Sequence, residues 1–188
     1  MVPLNAANLL TIARVLLVPV MILLIARDDS GALHAAAAVF GIAAITDAAD
    51  GHVARARNTI TTFGRLMDPL ADKLLVGAAL ASLVAVDRLA LWIAAVIVLR
   101  DVGVSGLRWY AGTRGIIIAV SSLGKAKTGA QMTAIPMLML VPFPTAAWVD
   151  AVMLAVAAVT VFSGIQYALT YARRVAAAPR GVVTAAEW

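Results

Sequence analysis

The stretch 47-DAADGHVARARNTITTFGRLMDPLAD-72 places four aspartates, Asp47, Asp50, Asp68 and Asp72, in a short span of a chain that has only ten acidic residues. The 188-residue chain is 63% hydrophobic and 13% charged, with a mean hydropathy of +0.95. A soluble domain is about 45–50% apolar with roughly 25% charged residues. This chain has too little polar material to wet a soluble surface. The composition therefore implies one integral membrane domain. The question is why four carboxylates sit together in it.

Other bulk features narrow the classes. The formal charge of +5 admits nucleic acid or anionic lipid as a partner. With so apolar a chain the membrane is the expected partner, and no nucleic acid is expected. The absence of cysteine excludes disulfides and thiolate metal sites. The N-terminal MVPLNAANLLTIARVLLVPV lacks a charged segment followed by a small-residue cleavage site, so it reads as part of the mature protein.

Six apolar segments are long enough to approach the ~20 residues that cross a bilayer. They run about Leu9–Ala26, Leu33–Ala56, Met67–Val86, Leu89–Tyr110, Ala126–Val141 and Ala147–Tyr171. Pro19 predicts a kink in the first. The domain is expected over residues 1–175, followed by a short, loosely ordered tail at 176–188. Arg55, Arg57 and Arg65 mark the second loop. Arg108, Arg114, Lys125 and Lys127 mark the fourth, and Arg173, Arg174 and Arg180 the C-terminal end. Positive charge favours the cytoplasmic side. Both termini are therefore expected in the cytoplasm, with the aspartates at the cytoplasmic ends of helices two and three.

Helical geometry gives the aspartates a common direction. At ~100° per residue, Asp50 lies about 60° from Asp47, Gly51 about 40° and Ala54 about 20°. Asp68 and Asp72 are about 40° apart, with Gly64 on the same side one turn earlier. Two helices thus each present a carboxylate pair beside small residues. Like charges so placed repel, and a pair of divalent cations relieves that repulsion better than protonation does. Hard oxygen ligands suit Mg²⁺ or Mn²⁺ with substrate phosphates. Two such ions can clamp the attacking and leaving oxygens of a phosphoryl displacement. Two plainer readings remain open here. The acids can form structural ion pairs with Arg55, Arg57, Arg65 and Lys73, or line a proton or cation pathway.

The pattern Asp47-x2-Asp50-Gly51-x2-Ala54-Arg55-x8-Gly64-x3-Asp68-x3-Asp72 resembles, at every fixed position, the signature of the CDP-alcohol phosphatidyltransferases. The resemblance implies a six-helix membrane enzyme in which an alcohol attacks the lipid-side phosphorus of a CDP-linked diphosphate and CMP leaves. It implies that Asp47, Asp50, Asp68 and Asp72 ligate two divalent cations, Mg²⁺ or Mn²⁺. Asp72 would also take the proton of the attacking hydroxyl. Gly51, Ala54, Arg55, Thr61 and Gly64 would contact the CDP-lipid. A homodimer is common in the family and is expected here.

The flanking segments 8-NLLTIARVLLVPV-20, 64-GRLMDPLADKLL-75, 99-LRDVGVSGLRWYA-111 and 124-GKAKTGAQM-132 resemble the bacterial branch of that family. That branch joins CDP-diacylglycerol to sn-glycerol 3-phosphate, giving phosphatidylglycerol phosphate in the cytoplasmic membrane. Asp101 departs from the glutamate expected after the arginine. Asp101, Ser105 and Arg108 share one helical face. Arg108, Lys125 and Lys127 are expected to form a pocket for the acceptor phosphate. Ordinary positive-inside topology is the plainer account of the two lysines. Asn8, Thr11 and Arg14 belong either to the nucleotide side or to a helix cap and a snorkelling arginine. Trp92, Trp109 and Trp148 read as interfacial anchors. Two rival functions stay in view: the same chemistry with phosphatidylglycerol as acceptor, as in a cardiolipin synthase, and a cation carrier that uses the aspartates for permeation.

Overall fold

The computed structural model describes the backbone of residues 6–57, 62–114, 122–142 and 147–177, with side chains at 11–46, 70–114, 123–142 and 147–175. These residues form six helices and, among the described residues, no strand. They are α1 (Ala6–Ala26), α2 (Ser30–Arg57), α3 (Thr62–Ala85), α4 (Leu91–Thr113), α5 (Ser122–Leu140) and α6 (Ala147–Ala177). Alanine and leucine, both strong helix formers, dominate them. Pro19 and Pro136 lie inside α1 and α5, where each removes a backbone donor.

Each expected segment corresponds to one helix, and three boundaries move by four residues or more. α3 begins five residues before Met67, so Gly64 and Asp68 both have helical backbone. α5 begins four residues before Ala126, so Lys125 and Lys127 lie within its first two turns. α6 continues six residues past Tyr171 and carries Arg173 and Arg174 on the helix, with Ala176 and Ala177 still helical. Hydropathy misses these extensions because the added turns are polar, yet they continue the helical hydrogen bonding. The rest of the expected tail lies outside the described residues, as does Thr61.

Packing divides the bundle. α1 packs on α2 and α3, α4 packs on α6, and α5 packs on both α2 and α6. α3 meets α4 and α5 only lightly. The core is aliphatic with one large ring. Met21, Ile25, Leu33, Phe40, Leu75, Leu80, Leu83, Ile97, Ile135, Leu138 and Met139 are fully buried. The outer face is apolar too, with Leu16, Leu23, Ile42, Ile45, Leu91, Leu99, Val102 and Phe162 mostly exposed. Helices apolar all round suit a lipid environment rather than water. Among the described residues, Ala147–Val175 alone is long and apolar enough to cross a membrane unaided, while Thr11–Ala26 and Ser30–Thr46 are apolar but shorter.

One end of the bundle is tied by charge and backbone together. Asp29 caps α2, its Oδ1 accepting from the Ala32 N–H at 2.8 Å, as an N-cap aspartate does. Asp28 and Asp87 hold left-handed φ values of 47° and 56°, which aspartate tolerates better than most residues. After α3 the Arg88 N–H donates to the Leu83 carbonyl and the Asp87 N–H to the Val84 carbonyl, a complete Schellman turn. That turn aims Arg88 inward. Its Nε donates to Asp28 Oδ1 at 2.6 Å and its Nη1 to the Val141 carbonyl at 3.0 Å. Three helix junctions are thereby held by one guanidinium.

Candidate active site

The light contact between α3 and α4 leaves a cavity at the opposite end of the bundle. It encloses about 310 Å³ and takes its walls from α3, α4, α5 and α6. Asp72 and Lys73 come from α3. Arg100, Asp101, Ser105 and Arg108 come from α4, at spacings that keep them on neighbouring turns of one side. α5 contributes Gly124, Lys127 and Thr128, and α6 contributes Ser163 and Tyr167.

Asp101 organises the polar floor. Its Oδ2 accepts from Lys127 Nζ at 2.5 Å and its Oδ1 from Arg100 Nη1 at 3.2 Å. Lys127 is buried, and a buried ammonium requires such a partner. Arg100 also donates to the Ser163 hydroxyl. Its stem passes so close to α6 that a Cβ at position 164 would lie 3.1 Å from Arg100 Cγ. Gly164 is what allows that approach. Lys73 donates to Ser105, whose hydroxyl in turn donates to the Asp101 carbonyl at 2.7 Å. Arg108 lies over the Tyr167 ring at 5.6 Å from its centroid, a cation–π distance. The Tyr167 hydroxyl is buried without a hydrogen-bond partner among the described residues.

Four cationic and two anionic side chains line the cavity, so it carries a net charge of +2. A phosphate monoester carries about −1.5 to −2 near neutral pH. The arrangement can therefore neutralise one such group. Arg108 presents exposed N–H donors suited to phosphate oxygens.

The expected site residues fall into three groups. Asp72, Arg108 and Lys127 line one cavity. Lys125 is exposed and does not line it. Asp47, Asp50, Gly51, Ala54 and Arg55 have helical backbone in α2, and Gly64 and Asp68 in α3, so the helical register read from their spacing applies. Their side chains lie outside the described residues. Sequence reasoning missed Arg100, Lys73 and Ser163. The available signal for Arg100 was a guanidinium in mid-helix beside Asp101, which in a membrane span calls for a partner. Arg14 is buried with Thr11 on α1, so it does not snorkel.

The donor set can be weighed for a metal. Among the described residues no group of three or more potential ligands occurs. Asp72 is half-buried at the cavity wall. The four expected ligands are all carboxylates, which are hard oxygen donors. That chemistry fits Mg²⁺ or Mn²⁺.

The bundle thus carries a cationic cavity whose wall includes Asp72, the last aspartate of the spaced signature. The sequence profile of the CDP-alcohol phosphatidyltransferase family matches residues 4–178, and the chain belongs to that family. Its curated relatives share a narrower description. A CDP-diacylglycerol–glycerol-3-phosphate 3-phosphatidyltransferase of Bacillus subtilis is 42% identical over 152 residues, covering 74% of this chain and 79% of the relative. The Shigella flexneri protein of the same description is 40% identical, covering 87% and 92%. A probable phosphatidylglycerophosphate synthase of Mycobacterium tuberculosis is 41% identical, covering 87% and 79%.

Proposed function

We propose that this membrane enzyme transfers a phosphatidyl group from CDP-diacylglycerol to sn-glycerol 3-phosphate, giving phosphatidylglycerol phosphate and CMP. The relatives of that activity cover most of the chain. The observation that carries the acceptor assignment is the cavity of net charge +2 that brings Arg108 and Lys127 beside Asp72. A lipid acceptor has no need of so many cations around a dianion-sized space.

In the proposed reaction the acceptor hydroxyl oxygen bonds to the lipid-side phosphorus. The bond from that phosphorus to the bridging oxygen breaks, and CMP departs with the electron pair. Asp72 accepts the hydroxyl proton. Asp47, Asp50, Asp68 and Asp72 would hold two divalent cations, Mg²⁺ or Mn²⁺. When bound, these supply charge stabilisation at the phosphoryl oxygens. Arg55 faces the CDP-lipid phosphates, with Gly51, Ala54 and Gly64 leaving space for them and Thr61 contacting the nucleotide lipid. Arg108 and Lys127 hold the acceptor phosphate, and Lys125 adds positive potential at its mouth. Asp101 keeps Lys127 and Arg100 in place, so the donors are oriented before substrate arrives, which is where electrostatic catalysis gains most.

The reading includes six spans with both termini and the cavity on the cytoplasmic side of a bacterial inner membrane. The exposed Trp92 and Trp109 support it. They lie at opposite ends of α4, 17 residues and roughly 26 Å apart at 1.5 Å per residue, close to the ~30 Å hydrocarbon thickness. Trp148 opens α6 at the same end as Trp92. The domain would run to about residue 175. A homodimer also belongs to the reading, supported by open space over Gly103 and Gly106 on the exposed side of α4, since small residues favour close helix approach.

The test is CMP release. Purified protein receives CDP-diacylglycerol, Mg²⁺ or Mn²⁺, and one alcohol at a time. Release is expected with sn-glycerol 3-phosphate. Release with phosphatidylglycerol alone would reassign the protein to cardiolipin synthesis, and failure to release CMP with any of the alcohols would sink the enzyme reading.

A further inference from the structure

Gln131 lies on α5 four residues beyond Lys127, one turn deeper on the same side of the helix. It is 1% exposed, and its amide Nε2 has no hydrogen-bond partner among the described residues. A buried amide donor left without a partner is rare enough to require an explanation. This one lines a second, smaller cavity of about 70 Å³. That annex adjoins the cationic cavity, sharing Asp72, Lys73, Asp101, Lys127 and Thr128 with it. Beyond the shared residues its walls are apolar except for Gln131.

The annex has less than a quarter of the cationic cavity's volume. Liquid water occupies ~30 Å³ per molecule, so the space suits one hydroxyl-bearing carbon. Its position matters as much. Asp72, the proposed proton acceptor, and Lys127, a proposed phosphate ligand, both line it. A three-carbon acceptor stretched between them would pass along it with its central carbon. A primary amide both donates and accepts, so it can satisfy a hydroxyl completely.

We infer that Gln131 is a specificity-determining residue that binds the non-reacting hydroxyl of the phosphorylated acceptor, seated in the annex between α3, α4 and α5. The inference rests on the acceptor being sn-glycerol 3-phosphate. It explains the orphaned amide as a donor held ready for substrate. An acceptor that lacks the second hydroxyl leaves that amide unpaired, and a site built to bind a hydroxyl rejects such an analogue strongly.

The test compares two acceptors on the full-length protein with CDP-diacylglycerol and Mg²⁺. One is sn-glycerol 3-phosphate. The other is 3-hydroxypropyl phosphate, which keeps the phosphate and a primary hydroxyl but lacks the secondary one. The native protein should favour the first in kcat/KM by roughly tenfold or more. Gln131→Leu, which keeps the volume, should lower kcat/KM for sn-glycerol 3-phosphate about tenfold. Its value for 3-hydroxypropyl phosphate should stay within about twofold, so the preference collapses. Gly77→Val approaches the annex from the α3 wall, where an added Cβ meets nothing within 4 Å. It should reduce the preference in the same direction, and it decides the matter if Gln131→Leu does not fold. Equal losses on both acceptors would overturn the inference and leave Gln131 a packing residue. CMP release without any preference in the native protein would also overturn it while sparing the activity. CMP release with neither acceptor would remove the activity reading itself, and this inference with it.

Discussion

At one end of the bundle Arg88 reaches Asp28 and the carbonyls of Leu138 and Val141, so the guanidinium is spent on chain junctions. At the other end Arg100, Lys127, Lys73 and Arg108 surround a cavity of about 310 Å³ and share two carboxylates between them. The residue types are the same. The difference is what faces the charge. A guanidinium that bonds carbonyls at the end of α5 and one aspartate has its donors engaged, and it stabilises the fold. Four cations around two carboxylates keep donors in excess, and such an excess is favourable only when an anion arrives. A closed charge cluster is thus architectural, and an open one with surplus charge is a binding site.

That contrast can be broken experimentally, most severely at the carboxylate. Asp72→Asn should retain CDP-lipid binding yet lower kcat by about 10²–10⁴-fold, the range for a missing general base. Single-turnover CMP release checks it, and near-native turnover would take Asp72 out of the proton-accepting role. Arg108→Ala should raise the acceptor KM by roughly 10–100-fold through loss of charged hydrogen bonds. The CDP-lipid KM should change little. Equal effects on both substrates would argue against an acceptor-phosphate position for Arg108. Arg88→Ala should do the reverse. We expect it to lower stability by about 2 kcal/mol, because it strips hydrogen bonds from the end of α5, while both KM values stay near native. A thermal melt in detergent beside steady-state assays would sharpen the contrast. Lys125→Ala should have the smallest effect, under about threefold on acceptor KM, since an exposed charge acts only through screened potential.

Legibility from sequence differed between these regions for a physical reason. The six helices were readable because each carries an apolar run set off by polar turns. The register of the aspartates was readable because α2 and α3 are helical there, and periodicity converts spacing into direction. Arg108 was readable as a charge on the Asp101–Ser105 face. Arg100 was not, because its partner Ser163 lies 63 positions away on α6. The pairing of Lys127 with Asp101 spans 26 positions, and sequence suggested a free phosphate ligand where the structure has a pre-bound ion pair. The Arg88 clamp joins residues 60 apart, and neither its turn nor its target carbonyls carry a side-chain signal.

The sequence by itself determined the membrane class, the helical register and the kind of chemistry, since composition and spacing act locally and survive any packing. Its aspartate signature named the family before any coordinate was known. Only the tertiary structure decided which cations meet, which one stays outside, and that a buried glutamine lines the adjoining cavity. Those facts depend on how α3 and α4 stand apart while α5 and α6 close behind them. Helix separation is a property of the packed bundle, and no spacing along one helix encodes it.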